Sequence, residues 1–184
     1  FYMGVVILGL FVHMGITYMT LLKIFTTMDI KHFLKSMAPV QLLGFSTSSS
    51  GATLPVTMKR CEKDLGISEE ISSFVLPLGA TINMDGTALY QGVAAVFIAQ
   101  AVGMDLTLAN QFTIVATAVL ASIGTAAVPG AGIIMLIIIL EAINVPSEGI
   151  ALILGVDRIL DMIRTATNVT GDATVASVMD SLER

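Results

Sequence analysis

Long apolar runs alternate with short charged segments along this chain. Five stretches contain no charged residue: 1–22, 36–58, 71–84, 86–104 and 106–140. About 20 predominantly apolar residues suffice for an α-helix to cross a bilayer. The chain is 55% hydrophobic and 12% charged, with a mean hydropathy of +0.88, which leaves too little polar surface to cover a globular core. The pattern therefore predicts an all-α membrane protein.

The overall charge and the single cysteine exclude several classes of function. A net charge of −5 argues against binding to nucleic acid. Cys61 lies in a charged segment, which we expect to be a loop, and a lone cysteine cannot form an internal disulfide or a metal cluster. The first apolar run lacks a small-residue cleavage site and is not a signal peptide. We expect the 184 residues to be a piece of a larger membrane protein.

The basic residues indicate how the apolar runs are arranged in the membrane. Lysine and arginine flank the run 36–58 on both ends, and none occurs between Lys63 and Arg158. Because basic residues concentrate on the cytoplasmic side, this run must enter and return on that side, with 45–55 as the tip of the hairpin. The run 106–140 has only acidic flanks and a small-residue centre, so we expect a second hairpin from the external side.

The complete pattern predicts two hairpins and three membrane helices, one of them broken near residues 83–87. The predicted segments are a transmembrane helix at 1–28, a cytoplasmic-side re-entrant hairpin at 33–65, a broken transmembrane helix at 70–104, an extracellular-side re-entrant hairpin at 106–144 and a transmembrane helix at 148–180. A hairpin followed by a helix with polar residues at membrane depth thus occurs twice, in opposite orientations. Inverted repeats with broken helices are typical of secondary transporters.

A polar stripe runs along the last predicted helix. At 100° per residue, six polar side chains fall within about 100° of one another; they are Asp157, Asp161, Arg164, Thr165, Asn168 and Asp172. Ionisable groups at membrane depth are costly unless they are paired or functional. The Arg164 guanidinium can hold a carboxylate through two hydrogen bonds, and Asp161 can accept from an ammonium group. The stripe predicts a site for a zwitterion with an extra acid group, or alternatively an internal Asp161–Arg164 salt bridge that only stabilises the bundle.

Oxygen-bearing side chains predict a second kind of site. They lie at the helix breaks and at the end of the stripe: Asn83, Asp85, Ser122, Thr125, Asn168 and Asp172. Broken helices add free backbone carbonyls, and hard oxygen ligands suit alkali and alkaline-earth cations rather than zinc. His13 and His32 are far apart in sequence and do not suggest a metal site. Asp157 and Arg158 could contact each other, a structural partner or a ligand.

Four motifs in order resemble those of the excitatory amino acid transporter family, also called the dicarboxylate/amino acid:cation symporters. They are Ser-Ser-Ser-Gly-Ala-Thr-Leu-Pro at 48–55, Asn-Met-Asp-Gly-Thr at 83–87, the small-residue segment 122–132 and Asp-x-x-Arg-Thr-x-x-Asn-x-x-x-Asp at 161–172. The resemblance covers nearly the whole chain. It implies a partial transport domain, with segment 122–132 as an extracellular gate, from a multi-pass cell-membrane protein that trimerises through a scaffold absent here.

The resemblance also implies a substrate and a coupling ion. It implies symport of glutamate or aspartate with Na⁺ by an alternating-access, elevator-type mechanism, with no organic cofactor. The implied substrate contacts are Ser50 and Val128 through their main chains, and Thr87, Asp161, Arg164, Thr165 and Asn168. The implied Na⁺ ligands are Gly79, Thr81, Asn83, Asp85, Ser122, Ile123, Thr125, Asn168 and Asp172.

Three positions depart from the family pattern. Gly51 replaces a common serine, Ala127 stands where glycine is frequent in the gate, and Gln91 stands where proton-coupled animal members carry a glutamate. Ala127 could alter the flexibility of the gate. Gln91 argues against proton co-transport through that position.

Other functions fit the residues less well. An intramembrane aspartyl protease requires G-x-G-D, and residues 169–172 lack the first glycine; a rhomboid protease requires G-x-S-G, which residues 48–51 do not match. A channel with re-entrant loops would not need the Asp161–Arg164 pair. A C4-dicarboxylate carrier would not need Asp161, and a proton-coupled symporter of the same family remains a further alternative.

Overall fold

The computed structural model describes residues 1–183, and these residues form helices without any β-strand. The all-α prediction is therefore confirmed. The α-helices are α1 (Tyr2–His13), α2 (Met19–Phe25), α3 (Ile30–Thr47), α4 (Ser50–Lys63), α5 (Glu69–Ile82), α6 (Asp85–Ala101), α7 (Leu108–Ile123), α8 (Ala131–Ala142) and α9 (Leu154–Glu183). A 3₁₀-helix, Ser147–Leu152, precedes α9.

The first two helices form one apolar rod with a wider turn in its middle. A π-helical turn, Met14–Tyr18, joins α1 to α2. Within residues 1–183, the combined helix Tyr2–Phe25 is the one that is long and apolar enough to cross a membrane. The apolar helices α7 and α8 are shorter than a full span and pack against each other as two arms of a hairpin.

The first hairpin has a much shorter tip than the sequence indicated. We expected a non-helical stretch over 45–55, but α3 continues to Thr47 and α4 begins at Ser50. The hydroxyl groups stabilise helix instead of breaking it: Thr47 Oγ1 donates to the Leu43 carbonyl, and Ser49 caps α4 by accepting from Ala52 N at 3.1 Å. The reversal takes two residues: Ser48 in the left-handed region, at φ 52°, and Ser49 in an extended conformation.

The broken helix is interrupted by two residues. Asn83 and Met84 have non-helical backbone angles, with φ/ψ of −98°/67° and −110°/50°, between the end of α5 and the start of α6. Such a break leaves carbonyl groups of α5 and amide groups of α6 without their helical partners. These groups become available to neighbouring side chains or to a ligand.

The last helix, α9, lies at the centre of the molecule. It contacts α1 to α6, and most of its polar side chains are buried. One apolar cluster, from α1, α6, α7 and α8, packs near its first half, and a second cluster, from α2 to α5, packs near its second half. The polar stripe is therefore enclosed by protein.

The prediction of a charged loop around Cys61 is wrong. This residue lies in the last turns of α4 with no exposed surface, among the apolar side chains of the second cluster. The charged neighbours point outward while the thiol points inward, as the helical period allows.

Candidate functional site

The predicted polar stripe is a buried surface in the structure. Its side chains, Asp157, Asp161, Arg164, Thr165, Asn168 and Asp172, are all buried. Side chains on a helix tilt toward its N-terminus, so Arg164 reaches back toward the two carboxylates that precede it. Arg158 is exposed, and the predicted alternative of an Asp157–Arg158 contact is not observed because Asp157 faces Arg164 instead.

Arg164 is the largest fully buried side chain among residues 1–183, with 1% of its surface exposed. Its Nη2 donates to Asp161 Oδ1 at 2.6 Å, so the internal salt bridge considered as an alternative is present. The guanidinium carbon lies 3.7 Å from the centre of the Tyr90 ring, in a cation–π contact. Nε and Nη1 have no hydrogen-bond partner in the described part of the chain. The salt bridge thus leaves donors that a carboxylate can use.

The tips of the two hairpins meet above this stripe. Ser49 Oγ donates to the Ala127 carbonyl at 2.6 Å, and Gly51 N donates to the same oxygen at 3.3 Å. From the second tip, Gly130 N donates to Asp161 Oδ2 at 3.0 Å. The cavity between the tips and α9 measures about 20 Å³, which is room for one water molecule. An amino acid could enter only if a hairpin moved.

The structure brings all the predicted substrate-contacting residues to this one cavity. Its lining includes Ser50, Thr87, Val128, Asp161, Arg164, Thr165 and Asn168. Asn168 connects two elements there: its Nδ2 donates to Thr87 Oγ1 at 3.1 Å and its Oδ1 accepts from Gly86 N at 2.9 Å. The grouping is geometric, and the roles of these residues stay predictions.

One group of predicted cation ligands surrounds Asp172. Asn83 Nδ2 donates to Asp172 Oδ1 at 3.0 Å. Gly79 faces the same carboxylate so closely that a Cβ built on it would lie 2.7 Å from Oδ1. Asn168 precedes Asp172 by one turn of α9. The Asp172 carboxylate therefore lies beside the Asn83 amide and the last turn of α5, and carboxylate, amide and carbonyl groups supply the oxygen ligands that suit Na⁺.

The other predicted cation ligands lie at two further places. Ser122, Ile123 and Thr125 lie at the end of α7, where Thr125 N donates to the Ser122 carbonyl at 3.1 Å. Thr81 lies in the last turn of α5, which contacts α7. Asp85, at the start of α6, has one buried carboxylate oxygen, Oδ1, without a partner in residues 1–183. An orphaned carboxylate oxygen fits a cation as well.

His13 is a site residue that the sequence analysis missed. Its Nε2 lies 2.8 Å from Asp85 Oδ2, and Tyr18 donates to the same oxygen from its hydroxyl at 2.8 Å. The π-helical turn Met14–Tyr18 brings both residues to one face of the rod, and such turns are frequent at functional sites. The sequence did contain one indication of this contact, because His13 is an ionisable residue inside a predicted transmembrane helix.

Gln91 is buried beside the second hairpin. Its Nε2 donates to the Gly132 carbonyl at 3.1 Å, which ties α6 to the first turn of α8. Gly132 in turn contacts Arg164, because a Cβ built on it would lie 3.3–3.4 Å from Nη2, Cζ and Nη1. The neutral amide at this position therefore supports the wall of the cavity.

Comparison with known proteins gives the same assignment over the whole chain. The model of the sodium:dicarboxylate symporter family matches residues 1–182. Excitatory amino acid transporter 3 of Mus musculus is 45% identical over 183 residues, which are 100% of this chain and 35% of the relative. Excitatory amino acid transporter 1 of Rattus norvegicus is 43% identical over 100% of the chain and 34% of the relative. Excitatory amino acid transporter 2 of Homo sapiens is 43% identical over 100% of this chain and 32% of the relative.

The chain spans about a third of the length of these relatives. The family consists of membrane transporters, so the chain is part of a multi-pass membrane protein and not of an enzyme. The fold, the buried charged stripe and the family match agree, and the chain belongs to the sodium:dicarboxylate symporter family.

Proposed function

We propose that the full-length protein carries an acidic amino acid, glutamate or aspartate, across the cell membrane together with Na⁺, by alternating access of the elevator type. The observation that carries this proposal is the buried pair of Asp161 and Arg164 beneath two hairpin tips. A carboxylate and a guanidinium on one helix face complement an ammonium and a carboxylate on one ligand. The family match and the names of the relatives support a substrate of this class.

Each charged group of the substrate has a partner in the cavity. The unpaired Nε and Nη1 donors of Arg164 would bind the side-chain carboxylate. Asp161 would accept from the ammonium group. The α-carboxylate would lie at the N-terminus of α4, beside the main chains of Ser50 and Val128, where helical amide groups favour an anion. A C4-dicarboxylate has no ammonium and would leave Asp161 without a ligand contact.

The ion sites would be held by the oxygen ligands around Asp172 and Asp85 and at the end of α7. Na⁺ would supply positive charge that balances buried carboxylates. Asn168 belongs to both sites, because it lines the substrate cavity and precedes Asp172 by one turn. A rearrangement of α6 at Gly86 and Thr87 would change both the substrate site and the ion site. This shared element provides a physical route for coupling between them.

The second hairpin, α7 and α8, is the proposed gate. The contacts that hold its tip are Ala127 with the first hairpin and Gly130 with Asp161. The chain would form the mobile transport domain, with the predicted segments as its membrane elements. The remaining two thirds of the full-length protein would contain the scaffold of a homotrimer in the bilayer.

Uptake by the full-length protein in proteoliposomes tests this function. We expect saturable L-aspartate or L-glutamate uptake that requires an inward Na⁺ gradient and disappears when choline replaces Na⁺. Succinate should compete weakly. Preferred uptake of succinate would support a dicarboxylate carrier, uptake driven by a proton gradient alone would support a proton-coupled carrier, and non-saturating flux would support a channel.

A further inference from the structure

Buried polar atoms without a hydrogen-bond partner are concentrated at Arg164 and its neighbours. Native proteins contain few such atoms, and each calls for an explanation. Eight such atoms occur within residues 1–183, and six of them belong to Arg164 and its neighbours: Arg164 Nε and Nη1, Asp157 Oδ1, Gln91 Oε1 and the hydroxyl oxygens of Tyr2 and Tyr90. The two Arg164 donors take no part in its hydrogen bond with Asp161, which uses Nη2. The guanidinium therefore has hydrogen-bonding capacity that the closed cavity does not use.

Asp157 is the second carboxylate that faces Arg164. Its Oδ1 lies 3.6 Å from Arg164 Nη1, which is too long for a hydrogen bond although both atoms are buried. Asp161 Oδ1, by contrast, lies 2.6 Å from Nη2. The two carboxylates occupy successive turns of α9 on the same face, and Arg164 reaches back toward both. The guanidinium is thus placed between one carboxylate that it bonds and a second that lies just beyond its hydrogen-bond range.

The guanidinium is confined to a flat slot. The Tyr90 ring covers one face at 3.7 Å. Gly132 covers the other, because a Cβ built there would be nearly equidistant from Cζ, Nη1 and Nη2, at 3.3–3.4 Å. A planar group between two such walls can shift within its plane without losing either contact. A shift of less than 1 Å toward Asp157 would bring Nη1 into hydrogen-bond range.

We propose that Asp157 is a positioning residue that receives Arg164 when a substrate ammonium group occupies Asp161. This inference rests on the proposed function. In the closed structure Arg164 occupies the carboxylate that the ammonium requires, so binding of an amino acid has to displace it. Asp157 keeps the displaced guanidinium paired, and a buried charge without a partner is strongly unfavourable. Binding then becomes an exchange of ion pairs rather than the loss of one.

The proposal predicts a cost that depends on the ligand. In Asp157→Asn, Arg164 has no alternative carboxylate and stays on Asp161, so a ligand with an ammonium group should bind about 10- to 100-fold more weakly, which is the range for the loss of one hydrogen bond to a charged group. Succinate leaves Asp161 paired with Arg164 and uses the free donors. Its affinity should change by no more than about threefold, because that ion pair is retained.

The experiment compares L-aspartate with succinate on the full-length protein at saturating Na⁺. Dissociation constants are measured by calorimetry, or by competition against radiolabelled aspartate, for wild type, Asp157→Asn and Asp157→Glu. Glu148→Gln is the matched control, since it removes one acidic charge from an exposed position before α9. We expect the preference for aspartate over succinate to fall at least about tenfold in Asp157→Asn, to recover largely in Asp157→Glu and to stay unchanged in the control.

Equal losses for both ligands in Asp157→Asn would show a merely structural role and overturn the proposal, as would an unchanged aspartate affinity. A wild type that prefers succinate would instead contradict the proposed function. If the variants do not fold, or wild type does not bind succinate, a structure of the full-length protein with L-aspartate and Na⁺ decides. The proposal requires Arg164 Nη1 within about 3.2 Å of Asp157 Oδ1 and Nη2 beyond hydrogen-bond range of Asp161; an intact Asp161–Arg164 bond would overturn it.

Discussion

Gly79→Ala tests the assignment of Asp172 as a cation ligand by adding a single methyl group. The new Cβ would lie 2.7 Å from Asp172 Oδ1 and 3.1 Å from its Cγ, whereas ordinary carbon contacts are about 3.5–4.0 Å. The carboxylate cannot turn away freely, because it is buried and Asn83 donates to it at 3.0 Å. It has to shift by roughly half an ångström or more, and metal-ligand distances tolerate only about 0.2 Å.

The expected loss of Na⁺ affinity follows from overpacking around Asp172. Extra methyl groups in close-packed sites cost about 1–3 kcal/mol, which corresponds to a loss of Na⁺ affinity of about 5- to 150-fold. Away from such a contact, alanine in place of glycine in a helix is stabilising by about 1 kcal/mol. Gly155→Ala is the matched control, since its Cβ would meet nothing within 4 Å and it also lies in a helix.

The assay is a titration of L-aspartate affinity against Na⁺ at constant ionic strength, with choline as the replacement, together with thermal unfolding of the purified full-length protein. Gly79→Ala should shift the Na⁺ dependence to higher concentration, and Gly155→Ala should not. An unchanged Na⁺ dependence in Gly79→Ala would refute the reasoning, and it would remove Asp172 from the ion site.

Further expected results concern the guanidinium and the gate. Arg164→Cys should abolish binding of acidic substrates in a calorimetric titration, at a cost of about 3–5 kcal/mol for breaking a buried pair, and titration of the same variant with L-serine or L-alanine tests whether it binds small neutral amino acids. Gly51→Ser should hinder closure of the gate in a protease-protection assay, because its Cβ would lie 3.3 Å from the Ala127 carbonyl and 3.5 Å from the Ala127 Cβ; adding Ala127→Gly should restore part of the loss, and strict additivity would argue against their contact.

The position of the charged stripe could be predicted from the sequence because it depends on helical period alone. Asp161, Arg164 and Asn168 share a face at 100° per residue, and their burial follows from the apolar composition around them. The helical period gave the Asp161–Arg164 salt bridge only as one of two alternatives, and it could not decide the partner of Arg164. Asp157 and Asp161 are both within reach along α9, and the choice depends on Tyr90 and Gly132, which come from other elements.

Contacts between segments that are distant in sequence were the second feature that the sequence could not predict. A π-helical turn differs from an α-helical one by a single residue per turn, and no apolar pattern distinguishes the two over Met14–Tyr18. The contact between His13 and Asp85 depends on this turn and on the break before α6. Likewise, the Ser49–Ala127 hydrogen bond joins two hairpin tips that are 78 residues apart.

The position of Asn168 explains why substrate and ions need not communicate over a long distance. Its amide fixes the first turn of α6 through Gly86 N and Thr87 Oγ1, and a Cβ on Gly86 would lie 2.8 Å from its Oδ1, so the backbone approaches too closely for any other residue without a shift. Asp85 begins that same turn, and Asn83 on the other side of the break holds Asp172. In the proposed function, a cation that binds Asp85 or Asp172 would therefore move the wall of the proposed substrate cavity. Because such coupling is reciprocal, a substrate bound against Thr87 and Asn168 would tighten the ion sites by the same factor as the ions tighten the substrate.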